Sequence, residues 1–184
     1  MILSRLLPAF AALAMSLPSW AAPAHTHGHA TLRIAVDGGK LDVLLDTPLD
    51  GLVGFERAPR TDAERQAIRD AAAKLRAAGL FVPTAAAGCT QKSVKMSSPV
   101  LPPELLGEAP SSGGAPRKAG EHADLEASIA FECSNAAELK GLETTLLRTF
   151  SRIRKVDVQV AGPRGQSKSV LTPGKTAVTW QAPK

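Results

Sequence analysis

A strict alternation of apolar and polar residues on both sides of a short turn is the feature that most restricts the fold of this chain. The segment "ATLRIAV" is followed by "DGGK" and then by "LDVLL". The alternating apolar positions are Leu32, Ile34, Val36, Leu41, Val43 and Leu45. A period of two residues is that of a strand with one buried face, and short glycine-containing turns join antiparallel strands. The segment therefore predicts a β-hairpin with one face in the core.

A pattern with the period of a helix follows the hairpin. Thr61 stands three residues before Glu64, which is the spacing of a capping box, and apolar residues then recur on one side until Gly79. We predict an amphipathic helix that covers a sheet. A further strand is expected at "CTQKSVKM".

The second half of the chain repeats this order of patterns. The segments "HADLEASIAFEC" and "KVDVQVAG" alternate like strands, and "SKSVLT" and "TAVTW" are expected to be short strands. Between the first two, Asn135 and Glu138 have the spacing of a second capping box. They predict a second amphipathic helix, whose buried side is Leu139, Leu142, Leu146 and Phe150.

Residues 97–120 separate the two halves and are rich in proline, glycine and serine. Such a composition favours a flexible linker. The sequence thus predicts a single α+β domain over residues 22–184, with two β-α-β-like halves at 25–96 and 121–184. We expect a mainly antiparallel β-sheet with the two amphipathic helices on one face and the other face open to water.

The first 21 residues have the pattern of a secretory signal peptide. Arg5 precedes an apolar run from Leu6 to Leu17, and Ser19-Trp20-Ala21 is a small-x-small cleavage site. The run is too short to span a bilayer. We therefore expect export to the bacterial periplasm as a mature protein that does not span the membrane.

Cys89 and Cys133 are the chain's two cysteines. An oxidising compartment favours a disulfide between them. The alternative is a bis-thiolate metal site, but structural zinc sites usually draw on closely spaced cysteine pairs.

Composition and motifs argue against two broad classes of function. The chain has 22 basic and 17 acidic residues and a net charge of +5, but its basic residues are spread along the sequence. Only 4% of residues are aromatic. Both features disfavour nucleic-acid binding. No serine lies in a nucleophile elbow, and "GPRG" at 162–165 precedes no helix that would hold a phosphate. We expect the protein not to be an enzyme.

The histidines are the candidates for chemistry. Strand alternation places His27 and His29 on the face opposite Leu32, and it places His122 with Asp124 on the open face of the strand in the second half. Alternate side chains on one face are about 6.5 to 7 Å apart, and zinc binds imidazole and carboxylate groups.

We therefore predict one metal site shared by the halves, with His27, His29 and His122 as main ligands and Asp124 as a fourth ligand or an orienting group. His25 precedes the strand and is freer to move. Cu²⁺ and Ni²⁺ suit imidazole as well, and cleavage after Ala24 would create an amino-terminal chelate suited to them. In the alternative interpretation the histidines are solvated and incidental, and the protein is a non-catalytic structural or protein-interaction module of the envelope.

Four ordered motifs carry a resemblance to a known family. They are His-x-His-Gly-His at 25–29, Gly-Phe-Glu-x-x-Pro at 54–59, His-x-Asp at 122–124 and Phe-x-Cys at 131–133. With these, the mature chain resembles the ZrgA family of periplasmic zinc-uptake proteins, formerly a domain of unknown function. The resemblance implies a Zn²⁺-binding protein that serves an import system with an inner-membrane ABC-type permease. The ligands that it implies are His25, His27, His29, His122 and Asp124.

Two departures from the family pattern change the expectation. Residues 97–120 contain no histidine, whereas relatives commonly carry a His- and Asp-rich insert there, so we expect a lower zinc capacity. Arg57 stands where many relatives have a histidine. For Phe55 and Glu56 we favour a structural role in the loop before the helix over a binding role.

Overall fold

A computed structural model of the chain describes residues 26–110, 123–163 and 165–180. The predicted signal peptide, His25 and His122 lie outside these residues. In the described part, none of the helices combines the length and the apolar character that crossing a bilayer requires.

Strands dominate the fold and form two sheets. They are β1 (His29–Asp37), β2 (Lys40–Pro48), β3 (Phe81–Pro83), β4 (Cys89–Ser97), β5 (Asp124–Cys133), β6 (Gly141–Thr144), β7 (Lys155–Gly162), β8 (Gly165–Leu171) and β9 (Ala177–Thr179). The larger sheet has the order β4-β5-β2-β1-β7-β8, and the smaller one has the order β3-β6-β9. Every neighbouring pair is antiparallel except β1 with β7, which is parallel. The mixed, mainly antiparallel architecture is as predicted.

The predicted hairpin is β1 and β2, and it is central to the larger sheet. Asp37 pairs with Lys40 at the turn, and Leu32 pairs with Leu45 inside the hairpin. Both leucines are fully buried, whereas Arg33 on the opposite side of β1 is exposed. The predicted hairpin, with its alternating apolar side chains in the core, is therefore confirmed.

Of the helices in the described residues, only one is longer than five residues. They are α1 (Leu49–Val53), α2 (Asp62–Arg76) and α3 (Leu146–Thr149), with 3₁₀ turns at Ala85–Ala87, Pro103–Leu106 and Ala136–Glu138. The capping box predicted for α2 is present, since Thr61 Oγ1 accepts a 3.1 Å hydrogen bond from the Glu64 amide. The Glu64 carboxylate accepts one of 3.3 Å from the Thr61 amide in return.

The second predicted helix is wrong. Asn135 makes no capping hydrogen bond through its side chain. The segment is instead divided into a 3₁₀ turn, the short strand β6 between β3 and β9, and the single turn of α3. Gly141 lies so close to β9 that a Cβ there would be 2.7 Å from the Val178 carbonyl oxygen. Thr144 is buried and donates a 2.7 Å hydrogen bond to the Leu80 carbonyl oxygen. A glycine needed for close approach and a β-branched residue both favour a strand over a helix here.

The segment predicted to be a linker is packed against the core over its first part. Leu101, Leu105 and Leu106 are buried around the 3₁₀ turn. Glu108 Oε1 accepts a 2.6 Å hydrogen bond from Arg76 on α2 and one of 2.9 Å from the Met96 amide on β4. Three leucines provide enough apolar surface to dock residues 97–110, despite the prolines. Residues 111–122 lie outside the described part of the chain.

The predicted disulfide is present. Cys89 and Cys133 are directly opposed on β4 and β5, and their sulfur atoms are 2.04 Å apart. The bond fastens an edge strand of the larger sheet to its neighbour.

Replacing both cysteines with alanine should lower the free energy of unfolding. The cross-link spans 44 residues of sequence, which corresponds to about 4 kcal/mol on the chain-entropy model. Urea denaturation of the purified, oxidised protein measures this, and parent protein treated with a reductant should unfold at the same urea concentration as the double variant. Equal stability of the double variant and the oxidised parent would contradict the prediction.

Leu106→Ala should lower the free energy of unfolding by about 2 to 5 kcal/mol, because it leaves a cavity where a fully buried side chain packs. Glu104→Ala in the same turn is the control, since Glu104 is exposed. That variant should stay within about 0.5 kcal/mol of the parent protein. Two equally small effects would show that this segment is not part of the core.

Candidate metal centre

Three side chains from separate parts of the chain converge at one end of the hairpin. His27, Asp50 and Glu56 each offer a metal-ligand atom, and these atoms lie within 4.8 Å of one another. His27 Nδ1 is 2.6 Å from Asp50 Oδ2 and 3.5 Å from Glu56 Oε1. We call these three residues the His27 cluster.

A turn before β1 positions His27. Gly28 has a φ of 76°, and the His29 amide donates a 3.1 Å hydrogen bond to the Thr26 carbonyl oxygen. The Gly28 carbonyl oxygen accepts hydrogen bonds from the amides of Arg154, at 2.7 Å, and Lys155, at 3.1 Å. The turn is thus fastened to the start of β7, and His27 does not follow the strand alternation.

Asp50 lies in α1, directly after β2. The Leu49 amide donates a 2.8 Å hydrogen bond to the Ala123 carbonyl oxygen, beside the start of β5. On the other side, α1 packs closely against the buried Ile153 side chain. A Cβ at residue 51 would be only 3.1 Å from that side chain, and the glycine at this position allows the close contact. The same short segment, residues 152–155, therefore supports both the turn of His27 and the helix of Asp50.

One oxygen of Asp50 has no hydrogen-bond partner among the described residues. Asp50 Oδ1 is buried, and the described residues supply no hydrogen bond to it. An unsatisfied buried acceptor costs about 1 to 3 kcal/mol, and more when it is charged. The buried oxygen adds to the negative charge at this point, and one imidazole with two carboxylates is a donor set that fits a divalent metal ion.

Glu56 lies in the loop between α1 and α2. Gly54, with a φ of 87°, ends α1 and turns the chain into this loop. The Glu56 side chain is 37% exposed, and that of His27 is 71% exposed. The cluster is therefore open to solvent on one side.

The electrostatics of the cluster favour a positive charge. The hydrogen bond to Asp50, followed by the negative charges of Asp50 and Glu56, raises the pKa of His27 above its ordinary value of 6.5. In the protein without metal, the imidazole accordingly holds a proton more strongly than a free histidine does. A metal ion that binds Nδ1 must displace that proton.

The distances suit two modes of zinc binding. Ligand bonds of about 2.0 to 2.1 Å in a tetrahedral site place two ligand atoms roughly 3.3 Å apart. The 3.5 Å separation of His27 and Glu56 is close to this, whereas Asp50 would have to move outward from its 2.6 Å contact. Alternatively, Asp50 keeps its hydrogen bond to Nδ1 and orients the ring, so that His27 Nε2 binds the metal.

His29 and Asp124, the two other predicted ligands that the structure describes, do not join this group. His29 is the first residue of β1, and Asp124 is the first residue of β5. Because β2 lies between those strands, their backbones are roughly 10 Å apart. His25 and His122 lie outside the described residues, so the site shared by the two halves stays a prediction.

Asp50 and Glu56 are the ligand candidates that the sequence interpretation missed. We assigned Glu56 a structural role, and Asp50 carries no local pattern beyond its position after Pro48. The one available signal was the Gly-Phe-Glu motif, because a carboxylate in a glycine-bounded loop is a common metal ligand.

Comparison with known proteins identifies the relatives of this chain. A sequence model described as the ZrgA family zinc uptake protein matches residues 24–180, which include the whole His27 cluster. No curated protein matches the sequence of the chain.

Asp50→Asn should lower the pKa of His27 toward 6.5, because it removes the carboxylate that makes the main contribution to the raised value. An NMR titration of the His27 ring protons in the metal-free protein measures the shift. Asp42→Asn makes the same charge change on an exposed side chain of β2 and should leave the His27 pKa unchanged. An unaltered pKa in Asp50→Asn would mean that the two side chains do not interact in solution.

Proposed function

Since the chain belongs to the ZrgA family of zinc uptake proteins, we propose that it binds Zn²⁺ in the periplasm and serves zinc uptake or homeostasis in the envelope. We further propose the His27 cluster as the metal centre. The observation that supports this assignment most directly is the convergence of His27, Asp50 and Glu56 within 4.8 Å.

The donor set matches the ion in charge as well as in ligand type. Two carboxylates and one neutral imidazole carry a charge of −2, so a bound Zn²⁺ would make the group neutral. Imidazole and carboxylate are both ordinary zinc ligands. Neutrality lowers the cost of keeping the partly buried Asp50 carboxylate away from bulk water.

A centre with three ligands, one of them an exposed imidazole, is suited to transferring its ion to another protein. Structural zinc sites are closed by four protein ligands, whereas a site with three leaves one position for another group. That position is accessible here, because His27 is 71% exposed. We propose that the ion is cargo and that the recipient is an inner-membrane ABC-type permease.

The other histidines are candidates for a fourth ligand. His122 precedes Ala123, whose carbonyl oxygen is hydrogen-bonded to Leu49, the neighbour of Asp50 in α1. His25 is two residues from His27. We propose His122 as the first candidate to occupy the fourth position until the recipient takes the ion, with His25, His29 and Asp124 as the other residues that the resemblance implies.

Zinc titration of the exported protein tests the assignment. We expect tight stoichiometric binding, and we expect His27→Ala and Glu56→Gln each to weaken it at least about tenfold. Binding should also weaken as the pH falls through the raised pKa of His27, because protons then compete for the imidazole. Glu104→Gln changes an exposed carboxylate elsewhere and should bind zinc like the parent protein.

Two other outcomes would contradict the proposal. If His29→Ala and His122→Ala weaken binding while Glu56→Gln does not, the metal centre is the histidine site shared by the halves. If zinc binds no more tightly than to an unrelated protein, the chain is not a zinc carrier, and a non-catalytic interaction module is the better interpretation. Parallel titrations with Cu²⁺ and Ni²⁺ establish which metal the site prefers.

A further inference from the structure

We infer that Arg57 is a positioning residue for the metal centre and that it holds the loop of Glu56 in its ligand geometry through contacts with Phe55 and Glu64. This inference rests on the proposed function. We call Phe55, Arg57 and Glu64 the loop clamp.

The loop has little backbone structure of its own. The Gly54 amide donates a 2.9 Å hydrogen bond to the Asp50 carbonyl oxygen, and regular structure resumes at α2. In the described part of the chain, no hydrogen bond between backbone groups involves residues 55–59. The position of Glu56 therefore depends on side-chain contacts.

Arg57 provides those contacts. Its Nη2 donates a 2.6 Å hydrogen bond to Glu64 Oε1, and its Nη1 donates one of 3.0 Å to Glu64 Oε2. Nη1 also donates a 3.1 Å hydrogen bond to the Ala58 carbonyl oxygen. The guanidinium carbon lies 5.1 Å from the centre of the Phe55 ring, within the range of a cation–π contact. Both sequence neighbours of Glu56 are thus held.

Glu64 is a rigid anchor for this arrangement. It belongs to the capping box of α2, and its Oε2 also accepts a 2.6 Å hydrogen bond from the Arg60 amide. The hydrogen bond from Arg57 is the main reason that the pKa of Glu64 is lowered to about 2. Glu64 consequently stays ionised, and the clamp stays formed, throughout the pH range in which His27 loses its proton.

The clamp has a consequence for the metal. Glu56 Oε1 is already 3.5 Å from His27 Nδ1 before any ion binds. If the loop were free, metal binding would have to order it at a cost in conformational entropy. Because Arg57 orders the loop during folding, its loss should weaken metal binding although its guanidinium pairs with Glu64 and not with the Glu56 carboxylate.

The sign of the effect separates positioning from charge. Arg57→Ala removes a cation near a cation site and leaves the Glu64 carboxylate unpaired, so electrostatics alone would tighten zinc binding. Loss of positioning would weaken it. The two explanations therefore predict opposite changes.

Zinc titration of the full exported chain tests the inference. Arg57→Ala should raise the dissociation constant about tenfold, which is the lower end of the range for groups that orient ligands. Arg57→Lys should recover part of the loss, because a lysine can pair with Glu64 through one bond but not through two. Arg65→Ala is the matched control: Arg65 pairs with Asp62 at 2.8 Å on the same turn of α2 and does not contact the loop.

Two further measurements exclude a general loss of structure. Combined with Glu56→Gln, Arg57→Ala should add little further loss of affinity, since both changes act through one ligand. In metal-free protein, the NMR order parameters of the backbone amides of residues 55–58 should fall in Arg57→Ala and not in Arg65→Ala.

Each remaining outcome decides against the inference. Unchanged or tighter zinc binding in Arg57→Ala, unchanged order parameters in the loop, or an equal further loss in the Glu56→Gln background would overturn the positioning role while leaving the proposed function intact. Parent-like binding by Glu56→Gln itself would overturn the metal centre, and the role of Arg57 with it.

Discussion

The parallel pairing of β1 with β7 is the contact on which the rest of the molecule depends. It begins where His29 is opposite Lys155, and it joins the first strand of the hairpin to a strand more than a hundred residues later. Because the register is fixed at that point, residues 152–155 lie beneath the turn that carries His27. Ile153 then packs against Gly51, and α1 is held beside the same turn. The convergence of imidazole and carboxylates follows from this one pairing.

Local patterns predicted local structure well. The hairpin and the capped helix α2 are encoded by neighbouring residues, through alternation in the first case and through Thr61 and Glu64 in the second. The segment after Asn135 misled us because its leucines, at spacings of three and four, fit one face of a helix. Gly141 and Thr144 favour a strand, but only because β3 and β9 lie on either side of them. That packing is set by distant residues, and a short window of sequence does not contain it.

The candidate site likewise contains one residue that local sequence indicated and two that only tertiary contacts reveal. Residue type alone drew attention to the histidines, and His27 is indeed in the cluster. The two carboxylates were missed because their proximity to His27 is created by tertiary contacts of α1 and of the loop that follows it. Strand alternation also failed at Gly28, whose positive φ turns the chain before β1 begins. Arg57, which we first considered as a replacement for a histidine, makes a two-pronged contact with Glu64 that depends on the start of α2.

The fastening of the His27 turn to the amides of Arg154 and Lys155 determines when the centre could form during the export that we propose. A chain that crosses a membrane from its amino terminus delivers His27, Asp50 and Glu56 well before residues 152–155. Until those last residues arrive, neither the turn nor α1 has its support, and the three ligands have no common geometry. Metal capture at this centre would therefore wait for the complete chain, so that nascent molecules would not withdraw zinc from the pool available to finished ones.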